Sequence, residues 1–312
     1  MIKAEALTKT YGTLHAVDNL SFCVEPGVVL GFLGPNGAGK TTTMRMIAGF
    51  VEPTSGRAEI CGYPLDTRPT EAKRALGYLP EGAPSYADMT PRSFLDFIAA
   101  VRGLSGSKRK TRLADTIERL QLAPVMEQTI DTLSKGFKRR VGIAQAILHD
   151  PPVLILDEPT DGLDPNQKHE VRNLIKSMSE EKIIVISTHI LEEVDAVCNR
   201  AIIIANGRIV ADETPEALLN RSRFHNAVTV KFASGRDLDS VAEAVRKLQN
   251  IDSVSTDAAN QSITAFPRPD RRIFAEVSAL AAEQGWQMEQ LHLESGRMDE
   301  VFRNITMGDE SI

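Results

Sequence analysis

Cysteine is scarce in this chain. Cys23, Cys61 and Cys198 lie far apart, and none belongs to a C-x-x-C pair. Such spacing argues against a disulfide framework or a zinc ribbon and suits thiols in a reducing compartment. Long apolar runs are missing as well, with nothing near the ~18 residues that read as a membrane span. The opening stretch, MIKAEALTKTYG, has no apolar segment of the signal-peptide kind. A cytoplasmic chain is expected, peripheral on the membrane at most, with any membrane role borrowed from a partner. Basic residues are not in excess either. The formal net charge is −6, with acids and bases interspersed, so nucleic acid is not an expected partner. Internal repeats and low-complexity segments are absent.

What remains is a globular composition. With 312 residues and 42 % hydrophobic content, the chain can bury a proper core, and two domains are the natural expectation. Val28–Leu33, Val153–Leu156 and Ile183–Ser187 are short continuous apolar runs, as in strands buried on both faces. Helical patterns alternate with them, beginning at Thr41, at Thr90-Pro91 and at Pro165. This alternation predicts a parallel, layered α/β sheet. Ile202–Ile204 and Arg208–Val210, joined at Asn206-Gly207, predict a hairpin with a primed turn. Residues 88–149 carry helical period. The stretch RSRFHN, residues 221–226, breaks the pattern, giving domains of 1–219 and 220–312. Beyond it, the order βαββαβ predicts a small ferredoxin-like α+β domain.

Gly34-Pro35-Asn36-Gly37-Ala38-Gly39-Lys40-Thr41 fits G-x-x-x-x-G-K-[ST] between a strand and a helix. Such a loop wraps phosphates with backbone N–H groups. Lys40 would reach the β- and γ-phosphates and the Thr41 hydroxyl a magnesium ion. Val153–Glu158 is an apolar strand ending in two acids. Asp157 suits the metal side of a P-loop NTPase and Glu158 a general base. Alone, an Asp-Glu pair at a strand end is more often just solvated; behind a P-loop it is a candidate pair.

Leu133-Ser134-Lys135-Gly136-Phe137 lies between them, and with it the sequence resembles the nucleotide-binding subunit of ABC transporters from Met1 to about Leu219. On that resemblance Tyr11 is the aromatic that stacks on adenine, and Gly34 to Thr42 are Walker A. Glu81, in GYLPE, stands where most members have the Q-loop glutamine. Leu133 to Phe137 match the signature, usually LSGGQ. Val153 to Glu158 match Walker B, Gly162-Leu163-Asp164 the D-loop, and His189 the switch histidine. In isolation Tyr11 would be a surface aromatic and His189 a polar strand-end residue; their order along the chain gives them roles. The resemblance implies a P-loop core with an antiparallel β-subdomain and an inserted helical subdomain at about 86–148. It also implies ATP and Mg²⁺ as cofactors, Ser134 and Gly136 as contacts to nucleotide held by a second ATP-binding subunit, and a separate transmembrane permease as partner. Whether the pair is a homodimer or a heterodimer stays open.

Three positions depart from the family pattern. Glu81 adds a carboxylate beside the metal site. Lys135 replaces a glycine. Phe137 replaces a glutamine, so the reciprocal half of an S-x-x-Q capping box is lost while Ser134 can still cap. With HDPPVLILDEPTDGLDPNQ, these features resemble the ABC-2 exporter branch, including gliding-motility-type and copper-processing-type ATPases. Two competing readings are a soluble ABC-type ATPase acting as a non-transport switch and a small-molecule P-loop kinase. The first usually has paired cassettes or coiled coils, and the second has no signature.

Overall fold

The computed structural model describes residues 1–82, 85–233 and 235–307. The chain divides into two compact units, Met1–Pro215 and Glu216–Ile312. The first opens with β1 (Ile2–Tyr11) and β2 (Leu14–Val24), then β3 (Val29–Leu33), α1 (Lys40–Ile47), β4 (Ser55–Ile60), β5 (Tyr63–Pro64), α2 (Pro69–Arg74) and β6 (Leu76–Leu79). Three helices follow, α3 (Pro91–Val101), α4 (Gly106–Arg119) and α5 (Lys135–Ile147). The chain returns through β7 (Val153–Asp157), α6 (Pro165–Met178), β8 (Ile183–Ser187), α7 (Leu191–Val197), β9 (Arg200–Ala205) and β10 (Arg208–Glu213).

The central sheet has the order β10-β9-β3-β8-β7-β6, parallel except for the β9–β10 hairpin. Its apolar runs are continuous because both faces are covered. Val153 and Ile155 face one core, with Met44 and Ile47 of α1 and with Leu7 and Leu20. Leu154 and Leu156 face another, with Val141 and Ile143 of α5 and Val171 and Ile175 of α6. A second, antiparallel sheet runs β2-β1-β4-β5. Asn206 and Gly207, both at positive φ (50° and 76°), make the tight turn of the β9–β10 hairpin. Thr90 caps α3 through a capping box with Ser93, and Pro91 follows at the first helical position.

The second unit continues from α8 (Pro215–Leu219) into β11 (Val228–Phe232), α9 (Leu238–Arg246), β12 (Ile251–Asp257), β13 (Ser262–Pro267), α10 (Phe274–Glu283), β14 (Met288–Leu293) and α11 (Met298–Met307). Its sheet order is β12-β13-β11-β14, antiparallel throughout, the connectivity of a split βαβ unit. Val230, Phe232, Val241, Val245, Val277 and Trp286 form its core. Trp286, the one tryptophan of the chain, meets Phe232 edge-on at 6.0 Å between ring centroids.

Candidate functional site

Parallel pairing brings the carboxyl ends of β3, β7 and β8 level, since Phe32 and Asp157 both lie opposite Ser187. Open α/β sheets place their ligands at such ends. The turn after β3 is Gly34–Gly39. Gly37 and Gly39 have φ of 80° and 104°, where a side chain would strain the backbone. A Cβ on Gly39 would also meet the Ala16 carbonyl at 2.3 Å. Glycine there is therefore fixed by geometry. The loop feeds the N-terminus of α1, whose free N–H groups attract anions.

Lys40 opens α1 and is almost fully buried. Its Nζ donates to the carbonyls of Gly34 (2.7 Å) and Pro35 (3.1 Å), so the loop is fastened over its own lysine. Burial pushes the ammonium pKa down, and the carboxylates of Glu158, Asp157 and Glu81 oppose that shift. Thr41 and Thr42 follow, half-buried on the same helix turn.

Asp157 ends β7 and is 1 % exposed. Its Oδ1 accepts the Ser187 hydroxyl, while its buried Oδ2 has no hydrogen-bond partner. An orphaned carboxylate oxygen is costly in a dry site, and a cation beside it would remove that cost. Among the described residues no group of three His, Cys, Asp or Glu side chains could hold a metal. The residues thus fit Mg²⁺ of the kind bound by one or two protein oxygens, with phosphate and water completing the octahedron.

Glu158, next in sequence, has φ of 51°. Its N–H donates to the Ser187 carbonyl at 3.0 Å. This left-handed step turns its carboxylate out of the strand to meet His189, whose Nδ1 lies 3.0 and 2.9 Å from the two oxygens. Burial raises the Glu158 pKa, and the hydrogen bond to His189 works against that rise. Asn36, Glu81, Lys135, Lys138, Asp161, Glu158 and His189 surround one cleft of about 480 Å³. Tyr11 lies outside it, 49 % exposed at the end of β1 with Lys9 Nζ 5.1 Å above its ring. Ser134 caps α5, its hydroxyl accepting from the Phe137 N–H at 3.3 Å. Gly136 is buried beneath Gln167, whose Oε1 leaves only 2.4 Å for a Cβ.

Three buried charges escaped the motif reading: Arg139, Glu193, and Arg140, which pairs with Glu170 at 3.2 Å. Arg139 on α5 donates to the carbonyls of Pro80, Asp157, Glu158 and Pro159. Glu193 on α7 accepts from Thr160 and Thr188, with Arg172 at 3.8 Å. Except for Thr188, five residues before Glu193, the hydrogen-bond partners of Arg139 and Glu193 lie about 20 residues or more away in sequence, which no local spacing displays.

Residues 17–161 match the ABC transporter family. The chain is similar to the linearmycin resistance ATP-binding protein LnrL of Bacillus subtilis, at 31 % identity over 98 % of each chain. It is also similar to the Nod factor export ATP-binding protein I of Paraburkholderia xenovorans, at 37 % identity over 70 % of this chain and 72 % of the relative. Among solved structures, the ATP-binding subunit of an ABC transporter superposes with a TM-score of 0.67 at 31 % identity, over 71 % of this chain and 92 % of that one. The dimeric bacterial cassette MJ0796 superposes with a TM-score of 0.64 at 25 % identity, over 69 % and 99 %.

Proposed function

Because the chain belongs to the ABC transporter family as an ATP-binding, ATP-hydrolysing subunit, we propose that it powers an ABC-2 type exporter through a separate transmembrane permease. The observation that carries the mechanism is that Asp157, Glu158 and His189 leave the ends of β7 and β8 beside β3, whose following loop leads into Lys40. Export is supported by relatives whose names specify linearmycin resistance and Nod factor export. No helix of the described residues is long and apolar enough to cross a membrane. In this reading the subunit works from the cytoplasmic face of the membrane, on its permease partner. Its first unit is the nucleotide-binding domain, with residues 86–148 as the inserted helical subdomain, and its second unit is an accessory domain.

ATP enters with its triphosphate over Gly34–Thr42. Its β- and γ-oxygens take the place of the Gly34 and Pro35 carbonyls on Lys40, and backbone N–H groups of the loop surround them. Thr41 and Asp157 would hold Mg²⁺, with Glu81 alongside; bound there, the ion offsets charge on the phosphates. Glu158 takes the proton of the attacking water, and His189 fixes the direction of that carboxylate. Tyr11 stacks on adenine. One chain carries one set of these groups, so a second ATP-binding subunit supplies Ser134 and Gly136 across the nucleotide. The dimeric cassette among its structural neighbours supports that assembly.

The test is Glu158→Gln. The variant should bind ATP, hydrolyse it at least ~100-fold more slowly, and accumulate as an ATP-bound dimer in light scattering. Turnover at the wild-type rate would place the base elsewhere, with Glu81 the first suspect.

A further inference from the structure

Arg139 is 5 % exposed. None of the described carboxylates lies within ion-pair distance of its guanidinium, and every hydrogen bond it makes goes to a carbonyl. Nε donates to Pro159 (3.3 Å), Nη1 to Pro80 (3.3 Å), and Nη2 to both Asp157 and Glu158. Pro80 follows β6, and Asp157 to Pro159 form the exit of β7, the neighbouring strand of the sheet. One planar fork therefore clamps two strand ends, and three of its four carbonyls belong to the backbone bearing the Glu158 carboxylate. Burying a cation in this way is costly. An apolar side chain would be easier to bury but would leave those carbonyls without this donor, so the guanidinium calls for a reason to join these strand ends in particular.

The origin of the fork supplies one. Arg139 lies on α5, the helix capped by Ser134. Glu158 keeps one ladder bond, its N–H to the Ser187 carbonyl at 3.0 Å, but its φ of 51° takes it out of β7 and leaves the strand no further hold on it. We propose that Arg139 is the positioning residue for Glu158, tying the backbone of the base to the helix that begins at Ser134. The inference rests on Glu158 being the base. A helix shift on dimer closure then moves the base with it, so the carboxylate reaches its water only when α5 is seated. Lysine cannot replace the fork, since a single ammonium cannot span Pro80 and Pro159 in one plane.

The experiment is a double-mutant cycle on the full-length protein, with Arg139→Lys and Glu158→Gln singly and together. ATPase kinetics and equilibrium ATP binding are the readouts. Arg139→Lys should lower kcat by about 10- to 100-fold, the range for a misplaced catalytic group, with KM and the ATP dissociation constant within about twofold. In the Glu158→Gln background it should cost nothing further, because both changes remove the same function. Multiplicative losses would overturn the inference, as would wild-type kcat in Arg139→Lys beside a slow Glu158→Gln. Wild-type turnover by Glu158→Gln alone would overturn both the base assignment and the inference. If Arg139→Lys does not fold, Arg139→Gln, which keeps two N–H donors without the charge, takes its place. Failure of both to fold would make the residue purely structural and end the proposal.

Discussion

His189 Nδ1 lies 2.9 Å from a carboxylate oxygen of Glu158, and the two residues leave neighbouring parallel strands at the same level. With Nδ1 directed at the carboxylate, Nε2 is the nitrogen left to face the cleft, where the γ-phosphate would stand. His189→Ala should leave ATP affinity within about twofold and lower kcat by ~10²-fold, the usual scale for a group that orients a base. His189→Gln, which can still donate to Glu158, should recover part of the loss. Steady-state ATPase kinetics with equilibrium nucleotide binding decide this; equal rates for wild type and alanine would remove His189 from the mechanism.

Ser134→Arg should spare ATP binding by the isolated subunit and block dimerisation and turnover. Loss of the cap itself costs only about 1 kcal/mol, too little to unfold the first unit. The introduced guanidinium would stand at a helix N-terminus proposed to receive phosphate from a second subunit. Light scattering with ATP is the measurement. Dimerisation at wild-type strength would mean that the segment does not act across an interface.

A chain ending at Pro215 should bind ATP as the full chain does. Every nucleotide-site residue named above precedes that point, and the first unit has its own core on both faces of the central sheet. Affinity for ATP measured by calorimetry on both chains checks this. A folded truncation without ATP affinity would show that the second unit completes the site.

Stability should fall on acidification because of His149. Its Nε2 meets the Leu76 carbonyl at 3.2 Å, its Nδ1 is buried without a partner, and burial holds its pKa down at about 4. The unfolded chain binds a proton near pH 6.5 and the folded chain does not until about pH 4, so the stabilisation is complete above 6.5 and is lost as pH falls toward 4. Between about pH 7 and pH 5 this residue should cost about 2 kcal/mol. His149→Gln should flatten that part of the profile. Urea titrations followed by circular dichroism would show it, and an unchanged slope would assign the acid sensitivity to other groups.

The phosphate loop was legible because its backbone needs glycine at Gly37 and Gly39, so geometry shows directly as residue type. The buried strands were legible because two covered faces demand unbroken apolar runs. Arg139 and Glu193 were not. In sequence, Arg139 is one of three consecutive basic residues, Lys138, Arg139 and Arg140, and nothing local marks it as buried. Only folding shows that it turns inward to carbonyls some 20 and 60 residues away in sequence. The helix α2, six residues with a single buried side chain, left no periodic trace either.

The placement of Trp286 has a spectroscopic consequence. The nucleotide site and the only indole belong to different compact units, and the indole is enclosed by the core of its own. Tryptophan emission therefore watches the second unit alone, with no background from the first. An emission change on adding ATP would show the second unit responding to nucleotide, and its dose dependence would follow that response without any label.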